Sequence, residues 1–135
     1  MTTPSKAIMI DAVVLVVADD LLFRSKISTV AKRGGVVIRA ATTADAAMAT
    51  VKEQRPALIL LDLDSARTQP FELLRWLGSD PDLQSVPTIG FVSHVHAAAI
   101  QEARSLGIGR VLARSAFVAE LPDILAPHGT TTSEG

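Results

Sequence analysis

The sequence predicts an α/β fold: an open, doubly wound sheet of five parallel strands with helices on both faces. Three observations carry this. Short runs of β-branched and aliphatic residues alternate with stretches of helical spacing, the mark of a parallel sheet covered on both sides. The first run, Val13-Val14-Leu15-Val16-Val17, ends in Ala18-Asp19-Asp20. The third, Ala57-Leu58-Ile59-Leu60-Leu61, delivers the single carboxylate of Asp62. Ligands and chemistry collect at the carboxyl ends of such strands, so the two carboxylate-bearing ends define one expected site.

Each element has its own local reason. The first helix starts at Asp20, an N-cap, buries Phe23, Ile27, Val30 and Ala31 at helical spacing, and stops at Gly34-Gly35, where a left-handed cap is cheap. The second strand follows as Val36 to Ala40. Thr42 or Thr43 caps a second helix with Asp45 in its first turn, and Pro56 ends it because the residue before proline avoids the α region. After the third strand, a loop containing Pro70 leads to a helix with Leu73, Leu74, Trp76 and Leu77 on one side, closed by Gly78 and the Asp80-Pro81 turn. Trp76 reads as a packing residue.

The fourth strand is Thr88 to Val92, the fourth helix runs from about His96 to Leu106, and the fifth strand is Arg110 to Ala113, after a turn marked by Gly107 and Gly109. Phe117, Val118, Leu121, Ile124 and Leu125 form a last apolar stripe. Pro122 interrupts it, and because proline is harmless only in a first turn, the regular helix is expected to begin near Leu121. Residues 12–126 read as one domain, residues 1–11 as a lead-in, and residues 127–135 as a flexible tail with nothing to bury.

Composition narrows the function classes. A chain of 135 residues with 48% hydrophobic residues fills a single core. Its net charge of -1 gives no broad basic surface, so neither direct nucleic-acid binding nor an anionic membrane is indicated. The absence of cysteine excludes disulfides, thiolate catalysis and zinc-thiolate sites. No apolar run approaches the roughly 20 residues of a membrane span, and Met1 to Lys6 lacks a signal-peptide layout. The chain reads as cytoplasmic. His94 and His96 follow the fourth strand without convergent ligands, and His128 falls in the tail.

Two carboxylates converging on one rim repel each other, which favours a raised pKa or a bound hard cation such as Mg²⁺. Asp19 is the one expected to point inward, with Asp20 capping the helix.

With these residues in place, the chain from Ala12 to Leu125 resembles the receiver domain of bacterial two-component response regulators. The clearest stretch is Leu58-Ile59-Leu60-Leu61-Asp62-Leu63, followed at the family's spacing by Phe71-Glu72-Leu73-Leu74-Arg75. Val16-Val17-Ala18-Asp19-Asp20-Leu21-Leu22-Phe23-Arg24 supports it. The resemblance implies a flavodoxin-like sheet of order 2-1-3-4-5. It implies Asp62 as a phosphoacceptor, supplied by a histidine kinase, a phosphotransfer protein or a small phosphodonor. It also implies Mg²⁺ held weakly by Asp19, Asp62 and the backbone carbonyl of Asp64. Such a domain is not an enzyme beyond its own phosphorylation. Its expected readers are a downstream protein or a second copy meeting it through the last two helices and the fifth strand.

Five positions depart from the family's pattern. Ala18 replaces the first residue of the acidic pair. Val92 takes the place of the strand-four hydroxyl, with Ser93 one residue later. Val111 replaces the aromatic switch residue, and Arg114 replaces the strand-five lysine, followed by Ser115 where the family usually has proline. Arginine keeps the charge but presents a planar fork in place of a compact ammonium. These departures keep a second reading open, a pseudo-receiver that binds protein without phosphate, in which Arg114 pairs structurally with Asp62. A remote reading is also present, because Asp62-Leu63-Asp64-Ser65 resembles the nucleophile motif of haloacid-dehalogenase-type phosphatases, in which Asp64 would be the general acid/base. That family needs a downstream lysine, and no lysine follows Lys52.

Overall fold

The five expected strands and five helices are present in a computed structural model, which describes residues 12–93 and 97–129. In chain order they are β1 (Val13–Val17), α1 (Leu21–Arg33), β2 (Val37–Ala41), α2 (Ala44–Glu53), β3 (Leu58–Asp62), α3 (Pro70–Gly78), β4 (Thr88–Val92), α4 (Ala97–Ser105), β5 (Arg110–Ala113) and α5 (Arg114–Leu125). The strands pair in parallel in the order β2-β1-β3-β4-β5. This is the flavodoxin-like order that the resemblance implied.

Side-chain alternation along the strands divides the core into two layers. Val14, Val16, Leu58, Leu60, Ile89 and Phe91 pack against Phe23 and Ile27 of α1 and Phe117, Leu121 and Leu125 of α5. On the other face Leu15, Val17, Ile59, Leu61 and Val92 meet α2, α3 and α4 through Val51, Leu73, Leu74, Leu77 and Ala103. Trp76 is half-buried against this second layer, with the Lys52 ammonium 6.0 Å from its ring centroid. It is a packing residue, as read.

The helix starts match their caps. The Asp20 carboxylate accepts the Phe23 N–H at 3.1 Å, and the Thr43 hydroxyl oxygen accepts that of Ala46 at 3.1 Å. Each cap contributes about 1 kcal/mol. At the end of α1, Gly35 takes φ +69° and the chain closes in a Schellman motif. The Gly35 N–H reaches the Lys32 carbonyl and the Val36 N–H that of Ala31. Because Val36 spends its N–H on the helix, β2 begins at Val37, one residue later than expected.

The largest correction concerns the last helix. It begins at Arg114, not near Leu121, and Pro122 lies in its interior. The apolar stripe explains why: Phe117, Leu121 and Leu125 are fully or nearly fully buried against the sheet, and that burial outweighs one lost helical hydrogen bond. Ala126–His128 form a 3₁₀ turn where the domain passes into the segment read as tail. The 1–11 lead-in, the end of the tail from residue 130, and His94 and His96 lie outside the described residues. Among the described residues no helix is long and apolar enough to cross a membrane.

Replacing Pro122 by alanine restores a donor to the α5 interior and removes the ring from the turn. The variant should be more stable by roughly 1–2 kcal/mol after allowing for the more flexible unfolded chain. Urea unfolding measures this; a loss of stability would mean that the proline is structurally required.

Candidate functional site

The site forms where the carboxyl ends of β1 and β3 meet the N-terminal ends of α1 and α5. Asp62 is the last residue of β3 and lies in register with Phe91 of β4. It therefore faces the α1/α5 layer, and it is only 3% exposed. Its Oδ1 accepts the Asp64 N–H at 2.9 Å, closing a tight turn directly after the strand. Its Oδ2 pairs with Nη2 of Arg114 at 3.3 Å.

Arg114 is the first residue of α5, and its position there aims the side chain back over the sheet rim. Its second amino group, Nη1, lies 3.4 Å from the carboxylate of Asp20. The guanidinium carbon sits 4.3 Å from the centroid of the Phe23 ring and 5.6 Å from that of Phe91. Its Nε is buried without a hydrogen-bond partner. Phe91 in turn stacks on Phe117 at 4.6 Å. The cation is thus bracketed by two carboxylates on one side and aromatic faces on the other, a seat that favours arginine's flat, weakly hydrated head over an ammonium.

The other acidic residues have separate partners. Asp19 is exposed, and its carboxylate accepts the Ser65 hydroxyl at 3.1 Å. The Ser65 oxygen in turn accepts the Thr68 N–H at 3.3 Å, and the fully buried Thr68 donates its hydroxyl to the Ser65 carbonyl. The Asp64 carboxylate accepts the backbone N–H of Ser93, tying the β3 loop to the end of β4. Ala18 is buried in the α1/α5 layer.

The two strand-end positions that departed from the family's pattern fall on opposite faces. Val92 packs into the α2–α4 layer, away from Asp62. Ser93 lines a cavity of about 580 Å³ together with Arg114, Asp20, Lys26 and Ser115, over an apolar wall of Leu22, Phe23 and Val118. Val111 packs against the α2–α4 layer.

Burial holds the Asp62 carboxyl above the usual carboxylate range; the Asp64 N–H and the Arg114 charge pull the other way, while the charges of Asp64 and Asp19 add to the rise. Asp20 is held below that range, chiefly by the Phe23 N–H and then, against slight desolvation, by Arg114.

Asp19, Asp62, Asp64, Ser93 and Arg114 thus gather at one rim, as the sequence indicated. Sequence reasoning missed three contributors. Asp20 was read only as a cap and also holds Arg114. Phe23 was read only as core and also seats the guanidinium. Ser65 anchors Asp19, and its one sequence signal is the Ser65-x-x-Thr68 spacing of a hydroxyl-bonded turn.

This chain belongs to the response regulator receiver domain family, whose profile matches residues 14–126. No curated protein matches it. Among solved structures it is similar to a response regulator from Hahella chejuensis (19% identity, TM-score 0.78, 92% of this chain and 99% of that one). It is also similar to the phosphorylated cyanobacterial phytochrome response regulator RcpA (22%, 0.73, 86% and 89%). A third is the Mn²⁺-bound form of response regulator Rcp1 (22%, 0.72, 92% and 99%). At these identities the similarity establishes the fold. Receiver domains act in two-component signalling, interact with histidine kinases or phosphotransfer proteins, and as a class bind Mg²⁺.

The donors of this chain do not fit that ion as they stand. Mg²⁺ demands oxygen ligands in a near-octahedral set. Here both oxygens of Asp62 are engaged, by the Asp64 N–H and by Arg114, and the exposed Asp19 accepts the Ser65 hydroxyl. Among the described residues no three acidic or histidine side chains converge on a metal position.

The raised Asp62 pKa fixes the sign of a pH effect. The folded state binds this proton more tightly than the unfolded chain does, so the protonated carboxyl favours folding. The contribution of Asp62 to stability therefore falls as pH rises from the ordinary carboxylate value through its folded pKa. Asp62→Asn lacks that titration, so its unfolding midpoint relative to the parent should climb across this window and level off above it. Thermal unfolding from pH 4 to pH 8 checks this, and a relative midpoint that falls with pH would contradict it.

Proposed function

We propose that this chain is a signalling receiver in which Asp62 is the phosphoacceptor and Arg114 is the cation that assists and senses its phosphorylation. The observation that carries the reading is the Arg114 contact to Asp62, 3.3 Å from a carboxylate buried at the sheet rim. An Asp62 oxygen would attack the phosphorus of a phosphohistidine or acyl phosphate, forming a P–O bond. The bond to the donor breaks, and its electron pair leaves with the imidazole or carboxylate. Such transfer depends mainly on positioning and charge neutralisation. Arg114 supplies a planar fork for the phosphoryl oxygens, and the Ser93 hydroxyl lines the same cavity. Lys26 lines it too and has no ionic partner among the described residues, so it adds positive potential at the entrance.

The readout would differ from a rotating ring, because Val111 offers none. Phosphorylation would draw Arg114 off Asp20 and Phe23, altering the N-terminal ends of α1 and α5. Those ends, with the last two helices and β5, are the proposed surface for a downstream protein or a second copy. The phosphodonor would be a histidine kinase or phosphotransfer protein, and we place the chain in the cytoplasm.

Two observations favour a second reading. Arg114 already neutralises Asp62 in the resting protein, and Val92 turns the strand-four side chain away from the site. Both are features of a pseudo-receiver whose surface binds its partner without phosphate. Acetyl phosphate treatment followed by intact mass separates the two. The phosphoacceptor reading expects a single phosphoryl adduct, absent in Asp62→Asn and reduced at least about tenfold in Arg114→Ala. An unmodified mass under stopped-flow quench as well as at equilibrium would leave the phosphate-independent reading standing.

A further inference from the structure

The disagreement between this site and a divalent ion has a structural cause in Arg114. We infer that the Arg114 guanidinium is the site's resident counter-ion, tethered to the chain in the place where the family uses a metal. It would keep Mg²⁺ out of the resting protein. The inference rests on Asp62 being the site carboxylate, as proposed above, but not on phosphoryl transfer.

Four observations converge on it. Nη2 of Arg114 takes Asp62 Oδ2 at 3.3 Å and Nη1 takes Asp20 Oδ2 at 3.4 Å, so one side chain spans the two strand ends. The remaining Asp62 oxygen is engaged by the Asp64 N–H. The acidic pair is reduced by Ala18, which is buried and contributes no carboxylate. The guanidinium is held in position by the Phe23 ring at 4.3 Å, a seat a swinging lysine would not have.

Charge and geometry then act together. A divalent ion entering at Asp62 would sit within a few ångströms of a fixed positive charge in a partly desolvated site, where like charges repel more strongly than in water. It would also have to share the Asp19 carboxylate with the Ser65 hydroxyl, which holds its Oδ1. A site with a complete acidic pair repels itself and recruits a cation. Here the chain provides the cation.

The test uses unphosphorylated full-length protein with MgCl₂ and MnCl₂ as probes. Water-proton relaxation with Mn²⁺ and calorimetry with Mg²⁺ report binding directly, whatever the protein's capacity to be phosphorylated. The parent should show no saturable binding up to about 10 mM metal, while Arg114→Met should gain a site at least about tenfold tighter, lost again in Arg114→Met/Asp62→Asn. Phe23→Leu, which keeps the core filled but loosens the seat, should raise metal affinity in the same direction. If Arg114→Met fails to fold, Phe23→Leu still decides the matter. Parent binding as tight as that of the Arg114 and Phe23 variants, or no gain in either variant, overturns the inference. An absent phosphoryl adduct would remove the phosphoacceptor reading and leave this one standing.

Discussion

A carboxylate cannot remain charged at the end of a buried strand unless something compensates for the water it has lost. Asp62 is in that position, and Arg114 is the only full positive charge among its described partners. The rest of the rim is arranged around this pair. Arg114 can reach Asp62 because α5 begins at that residue, and α5 holds its place through Phe117, Leu121 and Leu125 beneath it. Asp20 takes the second amino group, so the N-terminus of α1 is drawn to the same cation. A pair of this kind is not worth its full Coulombic attraction, because both ions are partly desolvated. Removing one partner is costly for the same reason, since it strands the other.

The pair is also joined to the core. Phe23 lies beneath the guanidinium, 4.8 Å from Phe91 and 5.8 Å from Phe117, and Phe91 stacks on Phe117. Any change in the charge of Asp62 therefore acts on a side chain in contact with α1, β4 and α5. Packed cores respond to such shifts by repacking discretely rather than by gradual deformation. This cluster physically links Asp62 to the α1/α5 surface. Leu22 stands 83% exposed at its edge.

The fold was legible because strand runs and helix caps are local signals. Asp20, Thr43 and Gly35 act where they were read, and the parallel order follows from the βα alternation together with the resemblance. The misread helix start shows the limit of such rules. Pro122 is a local argument for a break, whereas the reason for continuity is tertiary: α5 buries a stripe that spans both sides of the proline. The site was legible as a set of residues but not as a set of partners. Asp19, Asp62, Asp64, Ser93 and Arg114 were all read at the rim they share, yet nothing in their spacing says that Asp64 would bind the Ser93 N–H or that Ser65 would hold Asp19. Those contacts depend on the path of the β3–α3 loop, which includes Gln69 at φ +47°. That conformation is one a non-glycine residue adopts only when its surroundings enforce it.

The measurement that tests the central pair most directly is a double-mutant cycle on Asp62→Asn and Arg114→Met, read as unfolding free energy at neutral pH and low salt. If the two side chains form the interaction on which the rim depends, the cycle returns a coupling of about 1–3 kcal/mol that shrinks as the pH falls and Asp62 is protonated. Additivity within about 0.5 kcal/mol would mean that Arg114 is held by Asp20 and the aromatic cluster alone. The account of Asp62 as a charge compensated from within the chain would then be wrong.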